Sequence, residues 1–271
     1  MTENLEKIKL RERQSDLAKL RGLRPIDDDF LRCILRDNIP LSQLILRIVT
    51  GKPDLVITSL ETQRDMKRLG GARSVCLDAY ATDSSGRIID LEIQRSDYGA
   101  GRHRARYHSS SMDVENLNVG QDFDELPDTY VIFITENDVL RKGFAVYPIE
   151  RIIMNTGETF EDGSHILYVN GAFRDDSDIG RLMHDFSCSN ADDMNFALLK
   201  EATKYYKEDP KGVEIMCKAF EETRKEGELK GVLNTLVSLI EKGRITPSEA
   251  AEEAGMTLEE FLKTVKPLQV T

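Results

Sequence analysis

Cysteine and histidine are sparse in this chain, and neither residue forms the kind of cluster that a zinc or redox centre needs. The four cysteines are Cys33, Cys76, Cys188 and Cys217. None of them stands in a C-x-x-C pair, so neither a zinc site nor a redox pair is indicated. Two of the four histidines, His103 and His108, are five positions apart and would lie on different faces of a helix. We expect the histidines to make ordinary hydrogen bonds.

The sequence also lacks a long hydrophobic run and any segment that resembles a secretory signal. Hydrophobic residues make up 40% of the chain and charged residues 31%, as in soluble globular proteins. With four scattered cysteines as well, we expect a cytoplasmic protein with no membrane partner. The net charge of −11 argues against a high-affinity, nonspecific binder of nucleic acid, but a nuclease with a local basic channel is compatible with it.

Residues 75–94 carry the most informative pattern in the chain. Apolar residues alternate in two short segments: Val75, Leu77, Ala79 and Ala81, then Ile89, Leu91 and Ile93. Alternation of this kind predicts two strands, each with one apolar and one polar face. The residues between them, 84–86, fit a three-residue hairpin loop, because Gly86 can adopt the left-handed conformation that such loops require.

The polar face of this hairpin carries two carboxylates that the register can bring together. If Asp83 pairs with Arg87, then Asp78 lies directly opposite Glu92, with Cβ atoms about 4.5–5.5 Å apart. Carboxylates this close repel each other unless a cation lies between them, which favours a metal site. The alternative is an ordinary half-exposed antiparallel hairpin. A loop of two or four residues would instead place Asp78 opposite Leu91.

The same segment resembles the PD-(D/E)XK nuclease superfamily, in its transposase-linked branch of recombination-promoting nucleases. Residues 73–86 read R-S-V-C-L-D-A-Y-A-T-D-S-S-G and residues 91–94 read L-E-I-Q. Members of that branch read R-S-x-x-L-D-x-Y-A-x-D-x-x-G and then (I/L)-E-I-Q. Residues 104–109 are similar to the arginine-rich helix of the family, and residues 126–135 resemble its next core strand. The resemblance covers residues 25–230.

This resemblance implies roles for the residues of the hairpin. Asp78, Glu92 and the main-chain carbonyl of Ile93 would hold Mg²⁺, for which Mn²⁺ can substitute. Gln94 stands where the superfamily has a lysine, so it would orient water or a phosphate oxygen but has no ammonium group to offer. Leu77 replaces the proline of the superfamily name, which is a minor difference. The resemblance therefore implies a slow or conditional Mg²⁺-dependent endonuclease that acts on DNA.

Many members of the superfamily add an acidic residue from the first core helix. The candidates here are Asp27, Asp28, Asp29 and Asp37. We favour Asp29, because the pair that it forms with Phe30 resembles the start of that helix in the family. The alternative is a helix cap, since aspartate at a helix start accepts main-chain N–H bonds and suits the positive end of the helix dipole.

A basic segment follows the hairpin directly. Residues 95–108 contain four arginines and two histidines, in contrast to the acidic chain as a whole. The predicted nucleic-acid contacts are Arg95, Arg102, Arg104, Arg106 and Tyr107. Arginine binds phosphate through paired hydrogen bonds, so Arg104 and Arg106 would steer the backbone of DNA without reading its sequence. The alternative is a solvated basic helix face.

The order of elements predicts an α/β fold, with a mixed sheet flanked by helices that is restriction-endonuclease-like by resemblance. We expect a charged N-terminal arm over residues 1–24, a nuclease-like core over residues 25–175 and an all-helical C-terminal region over residues 176–271. Outside the hairpin, strands are predicted at residues 55–60, 130–135, 144–147 and 166–170. Helices are predicted at residues 29–36, 41–50, 102–116, 191–207 and 213–241, followed by two short ones.

The two short C-terminal helices have the spacing of a helix-turn-helix, and capping boxes begin at Thr246 and Thr257. Five glutamates crowd them, which is unsuitable for a helix in a DNA groove. We therefore expect this region to serve in packing, in partner binding or in a homo-oligomer. Because Gln94 replaces lysine, the alternative to a nuclease is a catalytically weak module of the same fold that binds nucleic acid or a protein.

Overall fold

The computed structural model describes residues 2–66, 75–95 and 97–265, in which the chain forms two compact units, Met1–Met216 and Cys217–Thr271. Arg73 and Ser74, which begin the motif in the sequence, lie outside the described residues. The first unit is built on one mixed sheet of six strands. The strands are β1 (Ile57–Met66), β2 (Val75–Asp83), β3 (Ile88–Gln94), β4 (Thr129–Thr135), β5 (Val146–Ile149) and β6 (Ser164–Asn170).

The strands lie in the order β1-β2-β3-β4-β6-β5. The first three form an antiparallel meander, β3, β4 and β6 run parallel, and β5 returns antiparallel at the far edge. Parallel neighbours need a connection that crosses over, and a helix lies in the connection from β3 to β4, whereas the connection from β4 to β6 contains β5. The α/β prediction with a mixed sheet is confirmed.

The hairpin between β2 and β3 has the predicted register. Ala79 pairs with Leu91, and the main-chain N–H of Asp83 donates to the carbonyl of Arg87 at 3.0 Å. Gly86 has a φ of 81°, the left-handed conformation that a three-residue loop requires. Since the pairing from Ala79 onward continues in step, position 78 stands opposite position 92.

The polar face of the hairpin is buried on β3, whereas on β2 Cys76 is exposed and Asp78 is partly buried, so the hairpin is less exposed than the ordinary half-exposed alternative. Every residue of β3 up to Ile93 is buried, and the side chains of Asp90 and Glu92 are 0% exposed. A polar side chain that is buried this completely needs hydrogen bonds or a counter-charge. The buried face of β3 therefore has to be explained by its partners.

Helices flank the sheet, and short 3₁₀ turns connect some of the elements. In the part of the chain that the structure describes, the helices are α1 (Thr2–Gly22), α2 (Asp28–Leu35), α3 (Ile39–Thr50), α4 (Arg102–Asn116), α5 (Asp178–Ser187), α6 (Ala197–Glu208), α7 (Pro210–Glu241), α8 (Pro247–Glu253) and α9 (Leu258–Val265). Helix α4 contacts β4 and β6, and α2 contacts β1 and β2. These two helices bring charged residues close to carboxylates of β2 and β3.

Two elements differ from their predicted bounds by six residues at one end. Strand β1 continues to Met66 instead of ending at residue 60, and residues 61–66 pair with β2 at the edge of the sheet. The helix predicted over residues 191–207 begins at Ala197. The buried carboxylate of Asp185 accepts the main-chain N–H groups of Asn195 and Phe196 at 2.9 Å, which holds this segment in a non-helical turn.

The second unit contains most of α7 together with α8 and α9, packed around one apolar cluster. Its members are Leu233, Leu236, Val237, Ala250, Ala251, Phe261 and Val265. Both capping boxes are present, since Thr246 and Thr257 each exchange hydrogen bonds with a glutamate three positions later.

The boundary between the two units falls after Met216, so α5 and α6 lie in the same unit as the sheet. The functional division at residues 24 and 175 stays a prediction. Among the residues that the structure describes, no helix is both long enough and apolar enough to cross a lipid bilayer.

Candidate metal centre

Asp78 on β2 and Glu92 on β3 are joined by two hydrogen bonds to main-chain donors. The N–H of Asp78 donates to Oε1 of Glu92 at 3.1 Å, and the N–H of Ile93 donates to Oδ2 of Asp78, also at 3.1 Å. Each carboxylate is therefore held against the main chain of the opposite strand. The structure brings the predicted pair together on one face, with the main chain of Ile93 beside it.

Both carboxylates are costly to ionise where they lie. Burial, together with the negative charge of Glu92, raises the pKa of Asp78 to about 6. Burial, together with the charge of Asp90, raises the pKa of Glu92 to about 7. A cation that binds both groups would relieve this repulsion, which makes the pair a candidate metal site.

Arg104 on α4 supplies one positive charge at this site. Its Nη2 donates to Oε2 of Glu92 at 2.7 Å, while Nη1 donates to the carbonyl of Gly99 at 3.2 Å and Nε to Nε2 of His108 at 3.2 Å. The Arg104 side chain is 40% exposed, and the carboxylate of Glu92 that it meets is fully buried. The predicted steering residue thus contacts a predicted metal ligand directly.

His108 and Asp90 form a buried pair behind Arg104. Nδ1 of His108 lies 2.9 Å from Oδ2 of Asp90 and 3.8 Å from Oε1 of Glu92. Burial lowers the pKa of His108, and burial with the charge of Asp78 raises that of Asp90 well above its usual range. The expectation that His108 makes ordinary hydrogen bonds is consistent with these contacts.

Asp90, Glu92 and His108 can also be viewed as a ligand set, since one donor atom from each lies within 4.8 Å of the others. Both nitrogens of His108 already have partners, however. Arg104 occupies Nε2 and Asp90 occupies Nδ1, so a metal at this histidine would have to displace one of them. The carboxylate oxygens of Asp78 and Glu92 also accept hydrogen bonds, but each has a further lone pair with which it can bind a cation.

Helix α2 brings a further carboxylate to the site, and it belongs to Asp28. The negative charge of Asp78 adds to burial in raising the pKa of Asp28 to about 6. Oδ2 of Asp28 pairs with Arg32 at 2.8 Å, while its Oδ1 is buried without a hydrogen-bond partner in the described part of the chain. Asp29, the acid favoured from the sequence, pairs with the same Arg32 at 2.9 Å.

Asp27, the residue before α2, does not act as a side-chain cap. Its carboxylate accepts the main-chain N–H of Arg24 at 2.7 Å and pairs with the side chains of Arg24 and Arg95. Glu136 closes this ion cluster by contacting both arginines. Arg95, a predicted nucleic-acid contact, is therefore paired with two acids, although 55% of its side chain is exposed.

Gln94 ends β3 with its side-chain amide packed against Gly99. A Cβ at position 99 would collide with Oε1 of Gln94, so the glycine leaves room for this amide. The carbonyl of Gly99 is the same one that accepts from Arg104. Gln94 and Arg104 thus both meet the main chain of Gly99.

The remaining predicted contacts lie on α4. Arg102 and Arg106 are exposed, whereas Tyr107 is partly buried against the core of the first unit. Exposed guanidinium groups can reach a phosphate backbone, and a packed tyrosine is less suited to it. The structure separates the basic helix into a solvent side and a side that contacts Glu92.

Sequence reasoning missed two features of this site, the pairing of Arg104 with Glu92 and the buried Asp90–His108 pair. It also favoured Asp29 over Asp28 among the candidate acids. The four-residue spacing of Arg104 and His108, and of Asp28 and Arg32, could have suggested contacts within each helix. The alternation of β3 places Asp90 on the same face as Glu92, which could have included it in the site.

The chemistry of the donor set fits Mg²⁺ or Mn²⁺. The groups that converge are carboxylates, and hard divalent cations prefer oxygen ligands. Buried Oδ1 atoms of Asp28 and Asp90 lack hydrogen-bond partners in the residues that the structure describes. Burial of ionisable oxygens without partners is unfavourable, and a cation would compensate for it.

Residues 41–172 match the model of one protein family, described as PD-(D/E)XK nuclease family transposase. The predicted resemblance is confirmed. The matched segment holds Asp78, Glu92, Gln94 and Arg104, while Asp28 precedes it. The match to this nuclease family supports a role in nuclease chemistry and mobile elements. No curated protein and no solved structure matches the chain.

Proposed function

We propose that this protein is a Mg²⁺-dependent DNA endonuclease linked to recombination or mobile elements, in which Mn²⁺ can replace Mg²⁺. The observation that supports the proposal most directly is the pair of carboxylates, partly buried Asp78 and fully buried Glu92, held face to face by main-chain donors. The PD-(D/E)XK family match over the same residues supports the reaction class.

Asp78, Glu92 and the carbonyl of Ile93 would hold the cation in this proposal, and the carboxylate of Asp28 is near enough for the charge of Asp78 to raise its pKa. A bound Mg²⁺ supplies Lewis acidity toward the scissile phosphate and toward water. Hydrolysis then forms a bond between the water oxygen and phosphorus, breaks one phosphorus–sugar oxygen bond, and leaves a proton on the released oxygen. Gln94 orients the water or a phosphate oxygen through its amide.

DNA binds along the exposed side of α4. Arg102 and Arg106 contact phosphates there, and the exposed part of Arg95 extends this surface beyond β3. Contacts of this type make binding strongly dependent on salt and largely independent of sequence. Tyr107 and Asp29 have supporting roles in the proposal, as packing for α4 and as a partner of Arg32.

The test is the nicking of a supercoiled plasmid with Mg²⁺ and with EDTA. We expect the wild type to cut the plasmid with Mg²⁺ but not with EDTA. Asp78→Asn and Glu92→Gln should not cut it under either condition. Asp65→Asn is the matched control, because Asp65 is an exposed carboxylate on the neighbouring strand β1. Equal cutting by the wild type and Asp78→Asn would refute the metal assignment.

A second function is favoured by one observation, the neutral amide of Gln94 at the end of the carboxylate face. A catalytically weak module of the same fold would bind DNA through α4, or a protein through its C-terminal helices, without cutting. Absence of cutting with salt-dependent DNA binding would favour this function. The C-terminal helices then serve partner binding or a homo-oligomer, and the free cysteines are in keeping with a cytoplasmic location.

A further inference from the structure

The candidate site contains more carboxylates than positively charged side chains that contact them. Asp78, Asp90 and Glu92 lie on the paired strands β2 and β3, and the next residue along that face of β3, Gln94, is neutral. Strand β3 therefore offers no positive charge from this face. The positively charged side chain that contacts Glu92 belongs to a different element, because it is Arg104 on α4.

Arg104 is held in one orientation by three acceptors. Its Nη2 bonds Glu92, its Nη1 bonds the carbonyl of Gly99, and its Nε bonds His108, over distances of 2.7–3.2 Å. A guanidinium has five N–H donors in a rigid plane, so two N–H groups remain outside these three bonds. The side chain is also 40% exposed, which allows an anion to approach it.

The bond from Arg104 defines the tautomer of His108. Arginine cannot accept a hydrogen bond, so Nε2 of His108 must be the acceptor and carry no proton. The proton of the neutral ring then lies on Nδ1, which donates to Asp90 at 2.9 Å. Asp90 thus fixes the ring, and the ring fixes the plane of the guanidinium.

We infer that Arg104 supplies the positive charge of this catalytic site beside Glu92, and that Asp90 and His108 are the positioning residues that hold it there. The inference rests on the proposed nuclease function. It gives Arg104 a role at the scissile phosphate instead of in general attraction of DNA, a role that falls to the exposed Arg102 and Arg106.

A basic residue at position 94 could supply the same positive charge in place of Arg104. Positions 92 and 94 share one face of β3, and the amide of Gln94 reaches Gly99, whose carbonyl accepts from Arg104. A lysine at position 94 would therefore carry an ammonium group to the neighbourhood of the guanidinium. Gln94→Lys should compensate for the loss of Arg104.

The first experiment measures plasmid cutting by Arg104→Gln, Gln94→Lys and the double variant. We expect Arg104→Gln to lower kcat by about 100-fold with little change in KM, as for loss of one preorganised charge donor. The double variant should recover most of this loss. Arg106→Gln, two positions along the same helix, is the comparison variant and should act mainly by raising KM, because Arg106 contacts phosphates away from Glu92 in the proposal. Loss of kcat without rescue by Gln94→Lys would overturn the inference.

The second experiment measures Mn²⁺ binding by calorimetry at pH 8.5 and does not require activity. A fixed positive charge next to the cation weakens its binding, so Arg104→Gln should bind Mn²⁺ more tightly, on the order of tenfold. Gln94→Lys in that background should weaken binding again, and Arg104→Lys should resemble the wild type. Unchanged Mn²⁺ affinity in a folded Arg104→Gln protein would overturn the inference.

The positioning residues have a test of their own. His108→Gln should lower kcat while leaving the Mn²⁺ affinity within a few-fold of the wild type, because the guanidinium stays but loses its fixed plane. If His108→Gln does not fold, Asp90→Asn provides the same test, because asparagine keeps the shape of the group that accepts from His108. If the wild type itself does not cut DNA, the proposed nuclease function is wrong. The Mn²⁺ titration then still tests whether the positive charge of Arg104 lies next to the bound cation.

Discussion

The N–H of Asp78 lies 3.1 Å from Oε1 of Glu92, so the main chain of one candidate metal ligand donates to the side chain of the other. The carboxylate of Asp78 in turn accepts from Ile93, the neighbour of Glu92. This exchange fixes both side chains before any cation arrives. A site that is rigid in advance loses less entropy on binding, which is why we expect the pair to act as one unit.

Stability should depend on pH in a direction set by this site. In the fold, the pKa values of Asp28 and Asp78 are raised to about 6 and that of Glu92 to about 7. Between about pH 4 and pH 7 the native state therefore binds more protons than the unfolded state, and the contribution of these groups to the free energy of unfolding falls as pH rises. Urea denaturation in EDTA across this range measures it.

The control for this pH dependence is Asp78→Asn, which removes one titrating group and relieves the repulsion on the other two. Its free energy of unfolding should fall less between about pH 4 and pH 7 than that of the wild type. A steeper fall in the variant would contradict the assignment of the pH dependence to this site.

Cation affinity should show the opposite trend with pH. A proton on Asp78 or Glu92 competes with Mn²⁺, and the raised pKa values place this competition near neutrality. We expect the Mn²⁺ affinity to rise between pH 5.5 and pH 7.5 and to level off above that, as measured by calorimetry. An affinity that is flat over this range would indicate ligands other than these carboxylates.

Gly99 offers a test of Gln94 that does not change Gln94 itself. A Cβ at position 99 would meet the amide oxygen of Gln94, a movable end, so Gly99→Ala should displace the amide at a cost below about 1 kcal/mol in stability. Its cutting rate should fall by the same factor as that of Gln94→Ala, and the double variant should fall no further. Gly22→Ala is the control, because its Cβ would meet nothing within 4 Å. Additive losses would show that the two residues act independently.

The hairpin could be predicted because its information is local. Alternation in two short segments and a glycine at the turn determine the strands, their register and the opposition of positions 78 and 92. The bounds of α4, Arg102–Asn116, were predicted from the sequence as well. These features depend on residues that are close together in the chain.

The rest of the site could not be predicted because it depends on contacts between distant elements. Successive helix residues point about 100° apart, so a shift of one position decides whether Asp28 or Asp29 faces Asp78. The pairing of Arg104 with Glu92 requires α4 to lie over β3, and nothing in the sequence of either element specifies that arrangement. Burial of Asp90 follows from the same packing.

Asp185 illustrates how such a contact determines local structure, and it gives a prediction for the fold itself. Its fully buried carboxylate accepts from the main-chain N–H groups of Asn195 and Phe196 and from the side chain of Asn195, which sets the start of α6. Asp185→Ala would leave these donors without an acceptor, and each buried unsatisfied donor costs about 1–3 kcal/mol. We expect a loss of at least about 3 kcal/mol in the free energy of unfolding, measured by urea denaturation. Asp193→Ala removes an exposed aspartate from the same turn and should change stability by less than about 0.5 kcal/mol. A similar loss in both variants would mean that the buried carboxylate does not hold the turn.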